Sequence, residues 1–130
     1  MIDSIFSKII KGQIPCHKVY EDDATLAFMD IEPIGPGHVL VVSKTQADIW
    51  DLPAADYQAL MMTVHKVADR IKMVLKPKRV GLHVVGLHLP DHAHVHVFPF
   101  DDMEGFQHRP DPHLHNNHEA LSAMAQKLAF

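Results

Sequence analysis

His92-Ala93-His94-Val95-His96-Val97-Phe98-Pro99 is the stretch that decides how the chain is read. Three histidines alternate with Ala93, Val95 and Val97, and a proline closes the run. Successive side chains of a β-strand point to opposite faces. The spacing therefore predicts a strand from about His92 to Phe98, with His92, His94 and His96 on one face and the apolar set on the other. The apolar side packs into a core and the imidazoles look outward. Imidazole is the side chain that serves as nucleophile, proton carrier or metal ligand near neutral pH.

The rest of the chain is ordinary enough to make that row stand out. Its 130 residues suit one domain, and 47% hydrophobic residues suffice for a real core. Twelve histidines are the one clear excess. The net charge is −4 with histidine neutral, and no Lys/Arg cluster offers a nucleic-acid or anionic-membrane surface. Cys16 is alone, which excludes an internal disulfide and thiolate zinc cages. No apolar run approaches the ~20 residues of a membrane span, and Met1 to Ser4 lack a signal-peptide pattern. A reduced, cytoplasmic protein is expected.

Working outward, Asp3 or Ser4 caps a first short helix carrying Ile5, Phe6, Ile9 and Ile10, and Gly12 stops it. Short strands are expected over 17–20 and 24–30. In the second, Leu26, Phe28 and Asp30 point one way and Ala27 and Met29 the other. Ile34-Gly35-Pro36-Gly37 is a loop, and His38 to Val42 is a nearly continuous apolar strand, central in a sheet. After a turn at 49–52, Pro53 opens a helix from Ala54 to about Leu75, whose apolar residues keep the 3.6 period. Val80 to Val85 is another strand. Residues 101–115 read as a long loop, and Asn116 or Asn117 caps a last helix. Helix, three strands, long helix, two strands and tail helix describe an α+β domain with an antiparallel sheet. Residues 1–100 form its body, and 101–130 a C-terminal loop and helix packed on it.

The histidine row, Gly37-His38-Val39-Leu40-Val41-Val42 and Ile5-Phe6-Ser7-Lys8-Ile9-Ile10 together resemble the histidine triad (HIT) superfamily, in its Hint-like branch. The likeness runs in order from about Ile5 to Pro99. Val19-Tyr20-Glu21-Asp22-Asp23 and Ala27-Phe28-Met29-Asp30-Ile31 fall where that branch has such residues. The resemblance implies a five-stranded antiparallel half-sheet with one long and two short helices, joined across a homodimer into ten strands. It implies a nucleotide hydrolase or transferase that cleaves at the α-phosphate of a nucleoside phosphoramidate, acyl-adenylate or dinucleoside polyphosphate, without cofactor or catalytic metal. His94 would be the nucleophile and form a nucleotidyl intermediate. His92, His96 and His38 would support it. Asp30 would clamp the ribose, and Ile5, Phe6, Ile9, Phe28, Met29 and Ile31 would hold the purine.

The chain also departs from that pattern. The connection before the row, Gly86 to Asp91, is short and lacks the Gln and Ser that relatives offer to phosphate. Many bacterial relatives place two cysteines around the Ile-Phe of the first helix and a histidine after the following strand, as a structural zinc site. Here the cysteine positions are Ser4 and Ser7, and Lys44-Thr45-Gln46 offers no histidine, so that zinc is not expected. Two other readings stay open. One is a non-catalytic purine nucleotide-binding module. The other is a zinc hydrolase, whose metal would need His94, His96 and either His83 or His38, because the outer two histidines of one strand stand ~13 Å apart. His83, His88 and the tail histidines are read as surface or local hydrogen-bonding residues, and His65 as structural.

Overall fold

Alternation of side chains on the central strands builds two separate apolar layers. The computed structural model describes residues 2–87, 91–104 and 110–130. His88, Leu89 and Pro90 of the connection before the histidine row, and His108 of the tail, lie outside them. The described residues form helix α1 (Ile5–Ile10), strands β1 (Lys18–Glu21), β2 (Thr25–Met29) and β3 (Val39–Ser43), a 3-10 turn (Ile49–Asp51), helix α2 (Ala54–Leu75), strands β4 (Arg79–His83) and β5 (His94–Phe100), and helix α3 (His118–Leu128). The strands make one antiparallel sheet in the order β1-β2-β3-β5-β4. This is the α+β architecture that the sequence implies.

One face of the sheet carries Ala27, Met29, Val39, Val41, Val95 and Val97. They pack under Leu60, Val64, Val67 and Ile71 of α2 and Leu121, Ala125 and Leu128 of α3. The tail helix thus shares the main core. The other face carries Leu26, Phe28, Leu40 and Val42, covered by Phe6 of α1. β2 and β3 are buried on both sides, which is why their sequences are nearly continuously apolar.

Local chemistry sets the ends. Ser4 caps α1 through the Ser7 N–H, at 3.0 Å. Asn117 caps α3. Gly37 adopts φ +88°, and a Cβ there would lie 2.7 Å from Leu75 Cδ1 and 3.1 Å from Pro99 Cγ. Only glycine lets this turn pass so close to the end of α2. The turn delivers His38 to the start of β3.

Three expectations need correction. β5 begins at His94, so His92 lies in the bend before it and is fully buried. β4 ends at His83, so Val84 and Val85 lie beyond the strand. His83 pairs opposite His96, and its ring stacks on the His96 ring at 4.4 Å between centroids. It is part of the histidine cluster and not a surface residue of its own.

Candidate active site

The register places the histidines. On β5, Val95 and Val97 face the helices, so His94 and His96 face the layer under α1, beside Val42 and Leu40 of β3. Phe6 bridges the cluster and the apolar layer. Its ring lies 5.0 Å from that of His94, 5.6 Å from that of His92 and 6.0 Å from that of Phe28.

Hydrogen bonds fix which nitrogen of each ring carries the proton. His94 Nδ1 lies 2.9 Å from the His92 carbonyl oxygen. A carbonyl only accepts, so Nδ1 is protonated and Nε2 keeps its lone pair. His92 Nε2 donates to the Ser43 carbonyl at 2.7 Å. Its Nδ1 therefore accepts, and the Ser4 hydroxyl is its donor. Burial holds the His92 imidazole below its ordinary value, which favours that neutral form. The Ile34 N–H donates to His38 Nδ1 at 3.1 Å, so the His38 proton sits on Nε2, 2.9 Å from His96 Nδ1.

Asp30, just past β2, completes this group. Its Oδ2 lies 3.5 Å from His38 Nε2 and 3.6 Å from His96 Nδ1. Its Oδ1 accepts the Glu32 N–H at 2.8 Å. Burial pushes the Asp30 carboxyl up, partly offset by the Glu32 amide and by His94 and His83. Asp30, His38 and His96 bring three donor atoms within 4.8 Å of one another, a spacing that would suit a divalent cation. The Ile34 N–H argues otherwise. It occupies the nitrogen that a ligating imidazole uses to donate outward, and so keeps the proton on the nitrogen a metal would need. The arrangement is built to share a proton.

His92 is not a solvent-facing partner of the other two, as the alternation alone suggests. Ser4, Ser7 and Gln46 enclose it. The Ser7 hydroxyl donates to Gln46 Oε1 at 2.6 Å, and the Ser4 N–H to the same oxygen at 3.1 Å. Gln46 Nε2 donates to the Ile2 carbonyl at 2.8 Å and to Asp91 Oδ2 at 3.3 Å. Hydroxyls and an amide are poor zinc ligands beside thiolate and imidazole, and here they satisfy one another. The clasp ties α1 to the bend before β5 and fixes the carbonyl that orients His94.

Next to the histidines an apolar cavity of about 440 Å³ opens between α1 and β2. Ile5, Phe6, Ile9, Phe28, Met29 and Ile31 all border it. Met29 is a special case, since it is 1% exposed and packs with the core of the opposite face. His17 and His118 also border the cavity, which no sequence pattern shows, because 101 residues separate them. Only His83, opposite His96 across one strand pair, could have been found by pairing the predicted strands.

A five-stranded antiparallel sheet with a buried histidine cluster beside an apolar cavity defines a histidine triad fold. The HIT domain family matches residues 11–103, and the chain belongs to that family. It is 36% identical to the adenosine 5'-monophosphoramidase hnt1 of Schizosaccharomyces pombe over 106 residues, covering 77% of this chain and 76% of that one. Among solved structures it is similar to a Hit-like protein of Bartonella henselae (TM-score 0.81, 28% identity, 95% of this chain and 92% of that one). It is also similar to a Zn-bound histidine triad family protein of Mycobacterium smegmatis (TM-score 0.75, 25% identity, 95% and 94%). Among the described residues no helix is long and apolar enough to cross a membrane.

Proposed function

We propose that the chain is a nucleotide hydrolase or transferase that acts at an α-phosphate through His94. The observation that carries this is the His94 Nδ1 bond to the His92 carbonyl. It leaves the Nε2 lone pair free for attack, next to an apolar cavity sized for a base. The nucleotide lies with its base between Ile5, Phe6, Ile9, Phe28 and Ile31, with Met29 at the floor, and its ribose hydroxyls donate to Asp30.

His94 Nε2 bonds to the α-phosphorus and the bond to the leaving amine or phosphate breaks. The leaving atom takes a proton from His96, which enters the step as an imidazolium paired with the Asp30 carboxylate. Water then attacks the phosphorus, gives a proton back to His96 and frees His94. The deficiency of cationic side chains in the row leaves charge stabilisation to this shared proton and to backbone N–H groups.

The test is a quenched reaction with adenosine 5'-phosphoramidate under alkaline conditions, followed by peptide mass spectrometry. An AMP adduct on His94, and its loss with a fall in turnover of about 10³-fold or more in His94→Ala, is the expected result. Full turnover by His94→Ala overturns the assignment. Binding of AMP without turnover of any phosphoramidate or dinucleotide by the wild type would instead identify a nucleotide-binding module. That alternative is favoured by the absence of Gln or Ser between Gly86 and Asp91.

The same reading makes the chain a cytoplasmic homodimer, joined through α2 and β4. Leu82 on β4, Val84 and Val85 just after it, and Met73 on α2 are exposed apolar residues that such an interface would cover. A monomeric mass by light scattering at micromolar concentration would remove that part.

A further inference from the structure

β4 brings a further imidazole to the histidine row from the edge of the sheet away from the apolar cavity. His83 stands directly opposite His96 in the β4–β5 register, so the two side chains share one face. Their rings lie 4.4 Å apart between centroids and 23° from parallel. The proposed reaction uses His96 and leaves His83 without a role.

The stack is built into the strand pair. Two residues along β5, the Phe98 ring lies 5.3 Å from that of His83 at 56°, and Phe98 is buried. Gly81 pairs opposite Phe98. A Cβ on Gly81 would lie 3.0 Å from Phe100 Cε1 and 3.4 Å from Phe98 Cε2. The glycine gives these rings room against β4, and His83 is seated between Phe98 and His96.

Charge assigns a part to each ring. Asp30 Oδ2 lies 3.6 Å from His96 Nδ1, and His38 Nε2 lies 2.9 Å from the same nitrogen. The His94 ring is 5.5 Å from that of His96, close to perpendicular. Arg79 shares the face of β4 four residues from His83, ~13 Å along the strand. Two imidazolium rings stacked at 4.4 Å would repel. The carboxylate lies against His96, so the charge belongs there and His83 is the neutral ring. A cation over the face of an aromatic ring is attracted by its π-electrons. Asp30 and His38 meet His96 at its Nδ1 edge, whereas His83 covers its face. His83 therefore favours the charged form without competing for an N–H.

We propose that His83 is a positioning residue for the leaving-group proton: its ring, stacked on His96, steadies the His96 imidazolium until the leaving atom takes the proton. This rests on the reading of the chain as a nucleotide hydrolase or transferase with His96 as the acid.

The test compares two substrates of the full chain over about pH 6 to 9.5. Adenosine 5'-phosphoramidate releases an amine that must be protonated. The 4-nitrophenyl ester of AMP releases a phenolate that leaves without a proton. With the phosphoramidate, kcat/KM falls at alkaline pH as His96 loses its proton. In His83→Leu and in His83→Asn that fall should begin about 0.5–1 pH unit lower. Above it, the loss on the phosphoramidate should exceed the loss on the ester by about 3–10-fold. His83→Phe keeps an aromatic face and should restore the wild-type profile. A general disturbance of the fold would lower both substrates alike and move no limb. An alkaline limb that stays in place in the leucine and asparagine variants, equal losses on both substrates, or a phenylalanine variant that behaves as leucine does overturns the inference and leaves the His94 reaction standing. A wild type that turns over neither substrate overturns both.

Discussion

Replacing Ser4 by alanine tests how the buried His92 is held. The Ser4 hydroxyl has two jobs at once. It accepts the Ser7 N–H as the cap of α1, and it donates to His92 Nδ1. Loss of a cap costs about 1 kcal/mol. A buried acceptor left without its donor costs about 1–3 kcal/mol more. Ser7 Oγ stands 3.4 Å from the same nitrogen, but turning to it means giving up its 2.6 Å bond to Gln46. The expected loss for Ser4→Ala is therefore about 2–4 kcal/mol. For a domain of 130 residues that is roughly 6–16 °C in Tm. Urea titration at pH 7.5 with an unchanged m-value is the assay.

Ser4→Asp sharpens the test. A carboxylate still caps the helix, but it presents an acceptor to an acceptor, so His92 must take a second proton. In the wild type, burial sets the folded His92 value below the ordinary 6.5. Between the two values the unfolded chain holds a proton that the folded chain lacks. This part of the stability is complete above pH 6.5 and is lost as pH falls toward the folded value. In Ser4→Asp the folded value lies above the unfolded one, so the contribution is present at low pH and is lost as pH rises through it. Opposite slopes of Tm against pH between 5 and 8 are expected for the two proteins. A loss of under about 1 kcal/mol in Ser4→Ala, or the same slope in both proteins, would refute the account of His92.

Other outcomes follow from the same geometry. Long-range ¹⁵N–¹H spectra near pH 8 should show His94 protonated on Nδ1 and His92 and His38 on Nε2; a different tautomer at His94 would remove the free Nε2 lone pair. Asp30→Asn should raise stability at pH 7 while weakening AMP binding. Burial lifts the folded carboxyl above 3.8, so the folded chain keeps a proton that the unfolded chain releases, and wild-type stability falls as pH rises through that window. The asparagine variant should lack that fall, as read by Tm from pH 3.5 to 7. Gly37→Ala should cost about 1–3 kcal/mol by urea titration and lower turnover, because the added methyl meets Leu75 and Pro99 at a positive φ and displaces His38. Leu60→Ala, in the centre of the main core, should cost about 2–5 kcal/mol.

Periodicity alone located much of this molecule. The 2-residue alternation of Leu26-Ala27-Phe28-Met29 and of His94 to Val97 separates the two layers of the core, and the 3.6 period of Ala54 to Leu75 is a single helix. These signals are local, because each strand or helix must bury one face whatever lies across from it. The apolar residues of the cavity were legible through their place in an ordered family pattern.

What the sequence could not give was the partner of each polar group. Alternation puts His92 on the face of His94 and His96, yet the strand starts two residues later. His92 turns inward because Ser4, from the other end of the chain, and the Ser43 carbonyl satisfy it there. The Ile34 amide decides the proton on His38, and no side-chain pattern records a backbone donor. His83 joins the cluster only through the β4–β5 register, and His17 meets His118 only because α3 returns to the sheet across β1 and β2. The histidine row by itself determined that imidazole chemistry is at stake and which strand presents it. Tertiary structure decided which nitrogen of each ring is free, since that depends on hydrogen bonds between residues far apart in the chain.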